Sequence, residues 1–254
     1  MIPLHDDNPT HRSPVLTIGL IAACVLVFLW QASLPPQAAQ AAVYSFGMIP
    51  AVVFGEAYLR SELAAVPPAL SVVTSMFMHG GWMHLIGNML YLWIFGNNIE
   101  DSMGHVRFIV FYLLCGAAAA MTQALQDPGS TVPMIGASGA IGGVLGGYAL
   151  LYPHARVLVL VPIGFFLTTI RIPALVVLGF WFVLQFVQSA MTPDTGGGVA
   201  YWAHIGGFVA GLVLIVFFKD RSVPLFGGPR RRPSKPTVSL RVPRSGRHRR
   251  GPWQ

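Results

Sequence analysis

The stretch MIGASGAIGGVLGGYALLYP, residues 134–153, is apolar enough to lie in a membrane, yet it carries six glycines and a single serine, Ser138. Its apolar part, residues 138–152, is too short to cross a bilayer, because a spanning helix needs about 20 residues. We therefore predict a helix that starts inside the membrane with Ser138 in its first turn, after a loop that dips in from the outer side. The free N–H groups and positive dipole end of that helix would face the serine, which suits an oxyanion.

The glycines of this stretch recur at three- and four-residue spacing and form a flat stripe along one helix. A later apolar segment, residues 200–218, has a matching pair, Gly207 and Gly211, three and seven residues after His204. Two such helices can touch backbone to backbone, which would bring Ser138 and His204 within hydrogen-bond distance. Gly136 and Gly139 also leave room for a substrate peptide beside Ser138. The alternative is ordinary packing of small residues between helices, without a functional site.

The composition places the chain in a membrane. Of its 254 residues, 54% are hydrophobic and only 10% are charged, whereas soluble domains have about 25% charged residues. Acidic residues precede the first apolar run, which favours a membrane span over a cleaved signal peptide. We predict an all-α, polytopic membrane protein, a bundle of six transmembrane helices with a short central helix four. The spans are residues 15–34, 82–99, 105–125, 138–152, 172–191 and 200–218.

The basic residues predict the orientation in the membrane. With six spans, 15 of the 16 Lys and Arg residues fall on the side of the two termini, and only Arg60 falls on the other side. Positive charge marks the cytoplasmic side, so both termini are predicted to be cytoplasmic. The domains are then a cytoplasmic N-terminus (1–14), the six-helix domain (15–218) and a basic, disordered cytoplasmic tail (219–254). Loop 35–75 is apolar for a linker, and we expect it to be partly embedded in the membrane.

The tail has two interpretations. It is rich in Arg, Pro, Ser and Gly, which favours an unfolded topology anchor that touches anionic lipid. Nucleic-acid binding is the weaker alternative, because Trp253 is the only aromatic residue in the Arg-rich part of the tail, residues 229–254. The predicted partners are therefore the lipid bilayer and membrane proteins, and no nucleic acid.

Four polar residues are predicted to lie in one layer of the membrane. Counted at 1.5 Å per residue from the cytoplasmic end of each span, Ser138 and His204 both stand about 22 Å up, while His84 and Asn88 stand at about 24 Å and 18 Å. His84 and Asn88 are four residues apart and share a helix face. Polar groups inside a membrane are candidates for function, so this layer is the predicted site.

The residue types in this layer favour acyl-transfer chemistry. Serine is a weak nucleophile until a base removes its proton, and His204 is the available base. No Asp or Glu lies at this depth, so we predict a Ser138–His204 dyad without an acid. The side chains of His84 and Asn88 and the backbone N–H of Ser138 are the candidate oxyanion donors. The alternatives are hydrogen bonds that only join helices, or a zinc site formed by His79, His84 and His204. Zinc is disfavoured because no HExxH motif is present and His79 and His84 lie on different helix faces; we expect no metal and no cofactor.

Over residues 10–220 the chain resembles the rhomboid family of intramembrane serine proteases. The resemblance rests on three motifs in order: HGGWMHLIGNMLYLWIFGNNIEDSMG (79–104), GASGAIGG (136–143) and AHIGGFVAGL (203–212). It implies that Ser138 is the nucleophile and His204 the base, that His84 and Asn88 help to bind the oxyanion, and that His79 is structural in the outer loop. It further implies cleavage of single-span membrane proteins within or near their transmembrane helix. The expected location is a bacterial inner membrane.

The chain departs from the family pattern at the position four residues after the nucleophile. Many members have an aromatic ring there that stacks under the histidine, whereas this chain has Gly142, with Tyr201 or Trp202 as possible substitutes. Leu70 and Ser71 stand where many bacterial members have a Trp-Arg pair. The alternative function is that of inactive rhomboid relatives, which bind membrane clients without cutting them but usually lack the serine or the histidine. A transporter is disfavoured, since the spans show no repeated halves.

Overall fold

The computed structural model of the protein describes residues 2–163, 166–191 and 200–227. The described residues are mostly helical. A π-helical turn, Leu92–Gly96, joins α5 to α6, so that residues 82–103 form one continuous helix. The α-helices are α1 (Val15–Ser33), α2 (Pro36–Phe46), α3 (Pro50–Val53), α4 (Pro68–Thr74), α5 (Trp82–Tyr91), α6 (Asn97–Met103), α7 (His105–Ala124), α8 (Ser138–Leu151), α9 (Ala174–Met191) and α10 (Tyr201–Phe218), and the strands are β1 (Ile2–Asp6), β2 (Arg156–Ile163) and β3 (Phe166–Pro173).

A helix lies at each of the six segments that were predicted to span the membrane. In the described part of the chain, three helices are long and apolar enough to cross by themselves: α1, α7 and α10. A fourth span results if the segments 61–77 and 82–103, which meet at an angle of 83°, are counted as one bent pair. α8 and α9 are shorter apolar helices by the same measure. The protein is a multi-pass membrane protein, and the count of six spans stays a prediction.

α8 is almost completely enclosed by the other described helices. It has 14 residues, and all of them except Ser138 and Leu150 are buried. A helix that is apolar all round belongs in the middle of a bundle, and here α7 and α10 pack against it. This position explains the glycines, because a helix with neighbours on several sides has little room for side chains.

Acidic side chains bind free N–H groups at the end of the bundle where α1 begins. Glu100, fully buried in α6, accepts hydrogen bonds from the backbone N–H groups of Leu16 (2.9 Å) and Thr17 (2.8 Å). These N–H groups have no partner within α1, and a carboxylate is favourable at the positive end of a helix. Arg12 and Arg107 form ion pairs with Asp220, which ties the starts of α1 and α7 to the end of α10.

The expectation of an all-α protein was wrong in one respect, because β1, β2 and β3 form an antiparallel sheet in that order. β2 and β3 are a hairpin between α8 and α9, with Arg156 opposite Pro173 and Ile163 opposite Phe166. β1 adds to the outer edge of β2, with Asp6 opposite Val157. The residues of β2 are mostly Val, Leu and Ile, which favour strands, and Val157 and Val159 are buried in the main core. The sheet depends on a partner strand about 150 residues away, so no local pattern identified β1.

The apolar segment after α1 folds back onto the loop that precedes α8. Met48 and Met134 exchange backbone hydrogen bonds of 3.0 Å and 2.8 Å, and the N–H of Gly136 donates to the carbonyl of Ser75 at 2.9 Å. Met48 and Ile49 are almost completely buried. These contacts hold the residues just before Ser138 in a defined position. Whether this segment is embedded in the membrane stays a prediction.

Candidate active site

Ser138 is the first residue of α8, as the length of the apolar stretch predicted. The residue before it, Ala137, is fully buried, and Gly136 has a φ of +126°, a backbone conformation that favours glycine. The turn at Gly136 directs the chain from the loop into the helix. The backbone N–H of Ser138 is among the first-turn groups that have no acceptor within the helix.

The His204 ring contacts Ser138 and a third side chain. Its Nε2 lies 2.8 Å from the Ser138 Oγ, and its Nδ1 lies 2.6 Å from the Oε1 of Gln185 on α9. An amide oxygen only accepts hydrogen bonds, so Nδ1 carries the proton. Nε2 is then the unprotonated nitrogen and accepts from the Ser138 hydroxyl. His204 and Gln185 are both 8% exposed, so water competes little for these bonds.

An aromatic ring from α9 packs on the His204 ring. The ring centroid of Trp181 lies 5.7 Å from that of His204, with the planes inclined by 36°. Tyr201 and Trp202, the substitutes expected from the sequence, make no ring contact with His204 among the described contacts, and the described ring partner of Trp202 is Phe186. A tryptophan on a neighbouring helix thus supplies the ring that Gly142, four residues after Ser138, cannot supply.

Glycines on α8 and α10 place their backbones in contact. A Cβ atom at Gly207 would overlap the carbonyl oxygen of Gly139, and one at Gly211 would overlap the carbonyl oxygen of Gly143. Neither overlap can be relieved by turning a side chain, because both involve backbone. Gly143 also faces α7, since its Cβ would meet Cys115. The approach of α8 and α10 sets the distance between the first turns of the two helices, where Ser138 and His204 lie.

His84 faces Gly136 and Ser138 from α5. A Cβ atom at Gly136 would lie 2.7 Å from the Cε1 and Nε2 atoms of His84 and 3.6 Å from the Ser138 Oγ. Glycine at position 136 therefore makes room for the imidazole. The backbone N–H of Gly80 donates to the Nδ1 of His84 at 3.3 Å, which leaves the proton of the neutral ring on Nε2. The N–H on the side of Ser138 is thus a donor.

Asn88 and His79 differ in their hydrogen bonding. Asn88 lies one turn after His84 and is 8% exposed, and its Nδ2 has no hydrogen-bond partner among the described residues. His79 lies in the loop before α5. Its backbone N–H donates to the Oε1 of Gln31 (3.1 Å), and its ring Nδ1 lies 3.2 Å from the carbonyl oxygen of Phe77. Its ring also packs edge to face on His84, with centroids 5.2 Å apart. Asn88 therefore has a donor to offer, whereas His79 is tied to α1 and to its own loop.

Sequence reasoning missed Gln185 and Trp181. The search for a third group considered carboxylates alone, although an amide oxygen accepts the same hydrogen bond. A polar residue inside an apolar helix is a functional signal, and Gln185 in ALVVLGFWFVLQFVQSAM satisfied that criterion. No local signal shows that Trp181 faces His204, because that depends on how α9 packs against α10.

A comparison with known protein families identifies residues 68–221 as a Rhomboid domain. The match covers more than half of the chain. The chain belongs to the rhomboid family. All the site residues described above lie within the matched range, including Gln185 and Trp181 on α9.

Several relatives of this rhomboid align with more than half of the chain. Rhomboid protein 1, mitochondrial, of Saccharomyces cerevisiae is 30% identical over 169 residues, which is 63% of this chain and 45% of the relative. Rhomboid protease GluP of Bacillus subtilis is 31% identical over 140 residues, 55% of this chain and 24% of that protein. Rhomboid-like protein 11, chloroplastic, of Arabidopsis thaliana is 30% identical over 160 residues, 59% of this chain and 52% of the relative. The chain therefore spans about half or less of the length of these relatives.

Proposed function

We propose that this rhomboid is an intramembrane serine endopeptidase that cleaves single-span membrane proteins within or near the transmembrane segment. The observation that supports the proposal most is the chain of hydrogen bonds from Ser138 Oγ to His204 Nε2 and from His204 Nδ1 to Gln185 Oε1. Serine, an unprotonated imidazole nitrogen and a group that fixes the other nitrogen are what serine acyl transfer needs. A relative that carries the name protease, GluP, agrees with the assignment.

In the proposed reaction, His204 Nε2 removes the hydroxyl proton of Ser138 as Oγ attacks the carbonyl carbon of the scissile peptide bond. The tetrahedral intermediate collapses when the protonated His204 gives its proton to the leaving amine, which leaves an acyl ester on Ser138. Water then attacks the ester with His204 again as the base, and Ser138 is restored. Gln185 touches no reacting atom. It acts as a positioning residue that keeps the Nδ1 proton in place and directs Nε2 at Ser138.

The intermediate carries a negative oxygen that needs donors. We assign this role to the backbone N–H of Ser138, the Nε2–H of His84 and the side-chain amide of Asn88. The packing of His84 against Gly136 and the unpartnered Nδ2 of Asn88 support the assignment. Gly139, Gly207 and Gly211 hold α8 and α10 together, and His79 fixes the loop at the start of α5.

The proposal includes the topology of the whole chain. It has six spans with α8 as the short central fourth, both termini in the cytoplasm and the membrane domain at residues 15–218. The basic tail, 219–254, touches anionic lipid; its residues 228–254 lie outside the described part. The proposed location is a bacterial inner membrane, although relatives are found in mitochondria and chloroplasts. A reporter fused after Gln254 should read as cytoplasmic and one inserted in residues 126–135 as external.

A serine-directed probe tests the chemistry. The purified full chain in detergent should react covalently with a fluorophosphonate at Ser138 and should cut a generic single-span substrate. Ser138→Ala removes the nucleophile and His204→Ala removes the base, so both variants should lose labelling and cleavage. Ser61→Ala, which alters an exposed serine in the long loop, is the control and should keep both activities. Chelators should have no effect.

If the chain instead binds membrane clients without cleaving them, the unmodified chain should show neither labelling nor cleavage. The substrate would then remain bound and uncut, and the probe would not label Ser138. If Ser138→Ala still cleaves the substrate, or if a chelator inhibits cleavage and zinc restores it, the activity must be assigned to a metal site or to a contaminant.

A further inference from the structure

Residues 2–12 run alongside the helix 82–103, starting from the end of the bundle where α1 begins. The backbone N–H of Arg12 donates to Asp101 at 2.9 Å, and the Nδ2 of Asn98 donates to the backbone carbonyl of Asn8 at 2.8 Å. Asn98 lies three residues before Asp101, about 4.5 Å further along the helix. The chain therefore moves away from the helix end as it is followed back from Arg12 towards β1.

β1 continues in the same direction along the helix 82–103. The carboxylate of Asp6 accepts a 2.5 Å hydrogen bond from Tyr148, whose ring packs on Phe95 with centroids 5.0 Å apart. Phe95 is a further three residues along the helix from Asn98. β1 itself contacts the turn 92–96 and α5. Since Glu100 is level with the first turn of α1, β1 lies beside the first turns of that helix, at the bilayer surface, and not beyond the end of the bundle.

The hairpin β2–β3 shares this level because it is paired to β1. Ile2 is opposite Leu160 and Asp6 is opposite Val157. β2 therefore runs along the helix 82–103, away from the end where α1 begins, and extends three residues past Leu160 to Ile163. β2 follows closely on α8, and β3 leads directly into α9 at Ala174. Both connections place the hairpin against the bilayer surface on the side of the N-terminus.

The side chains of the hairpin match this position. Residues 157–170 contain no charged residue, while Arg156 and Arg171 stand at its base, both exposed. Near the tip, Phe166 and Leu167 are 80% and 71% exposed. Large apolar side chains are unfavourable in water, and within the described residues nothing covers these two.

We propose that the β2–β3 hairpin is an interfacial membrane anchor. Lipid acyl chains cover Phe166 and Leu167, and the phosphates of the headgroups bind Arg156 and Arg171 at the base. The outer edge of β3 has no partner strand among the described residues, and open edges do not occur in the hydrocarbon region. The hairpin is therefore placed in the headgroup and upper acyl layer, where water and phosphate satisfy the edge. Because β3 continues into α9, the anchor also holds the base of the helix that carries Trp181 and Gln185.

Site-directed spin labelling of the full chain in nanodiscs of phosphatidylcholine and phosphatidylglycerol tests this proposal. Cys24 and Cys115 are completely buried, so a nitroxide reacts with an introduced cysteine, and the unaltered chain gives the background. The nitroxide on Leu167→Cys should collide more often with oxygen, which dissolves in lipid, than with a nickel complex, which dissolves in water. Leu26→Cys, on the exposed face of α1, is the lipid reference. His154→Cys, at the exposed loop before β2, is the water reference and should show the opposite ratio.

The outcomes separate lipid from other partners. If Leu167→Cys matches His154→Cys, the hairpin lies in water and the proposal is wrong. Shielding from both reagents, or spectral broadening between two labels, would show a protein partner or a second copy of the chain on this surface, and would equally overturn it. Phe166→Cys, on the other face of the hairpin, gives the same reading if Leu167→Cys does not fold.

Discussion

Substituting Gly207 by alanine should separate α8 from α10 and thereby damage the site without touching a reacting group. The added Cβ would overlap the carbonyl oxygen of Gly139. Since this oxygen belongs to helical backbone, the overlap can be relieved only if the two helices move apart. Overpacking of this kind costs about 1–3 kcal/mol, which equals or exceeds the roughly 1 kcal/mol that alanine gains over glycine in a helix. The net effect should be a loss of stability.

The same movement should lower activity. Gly207 is three residues from His204, so a shift of α10 there lengthens the 2.8 Å contact between His204 Nε2 and Ser138 Oγ. A misplacement of about 1 Å can cost about 10²-fold in rate. Thermal unfolding in detergent and cleavage of a single-span substrate measure the two effects.

A matched control is available on α9. A Cβ at Gly179 would meet nothing within 4 Å, so Gly179→Ala should be neutral or stabilising by up to about 1 kcal/mol and should keep its activity. If Gly207→Ala unfolds at the same temperature as the unaltered chain and cuts at the same rate, the two helices do not touch as described. If Gly207→Ala and Gly179→Ala lose stability and activity equally, the loss does not depend on the contact between α8 and α10.

Three further expectations concern single side chains. Gln185→Leu removes the acceptor at His204 Nδ1, so kcat should fall by about tenfold or more, the equivalent of one hydrogen bond of about 1.4 kcal/mol, with KM unchanged; a change in KM alone would refute a positioning role. Asn88→Ala removes one oxyanion donor and should lower kcat by up to about 10²–10³-fold without abolishing it, and unchanged turnover would exclude it from the oxyanion site. Burial raises the pKa of Asp6 from its ordinary 3.8 to about 6, so the folded state holds this proton more tightly than the unfolded state. Stability should therefore fall by up to about 3 kcal/mol as pH rises from 4 through 6, and thermal unfolding of Asp6→Asn should lack this component; identical pH profiles for the two proteins would contradict the assignment.

The sequence by itself located the six long apolar helical segments and the first residue of α8, but not the short helices α2, α3 and α4. The length of an apolar run is a local property, and a run of 15 residues that starts at Ser138 cannot cross a bilayer, so the start of the helix inside the bundle followed from counting. The glycine spacing likewise indicated which faces of α8 and α10 can touch, because small residues at helical intervals permit backbone contact wherever the helices lie. The catalytic roles of Ser138 and His204 remain predictions, although the structure brings their side chains together.

Only the tertiary structure decided which groups surround His204 and what the chain between α8 and α9 does. Gln185 and Trp181 meet the imidazole because α9 packs against α10, and no pattern within α9 specifies that rotation. The sheet requires residues 2–6 to pair with residues 156–163, a pairing that depends on the N-terminal arm being held along the helix 82–103. Contacts between distant segments are chosen by the packing of the whole bundle, whereas helix formation is chosen mainly by neighbouring residues. That difference is why the apolar helical segments could be predicted from the sequence and the partners of His204 could not.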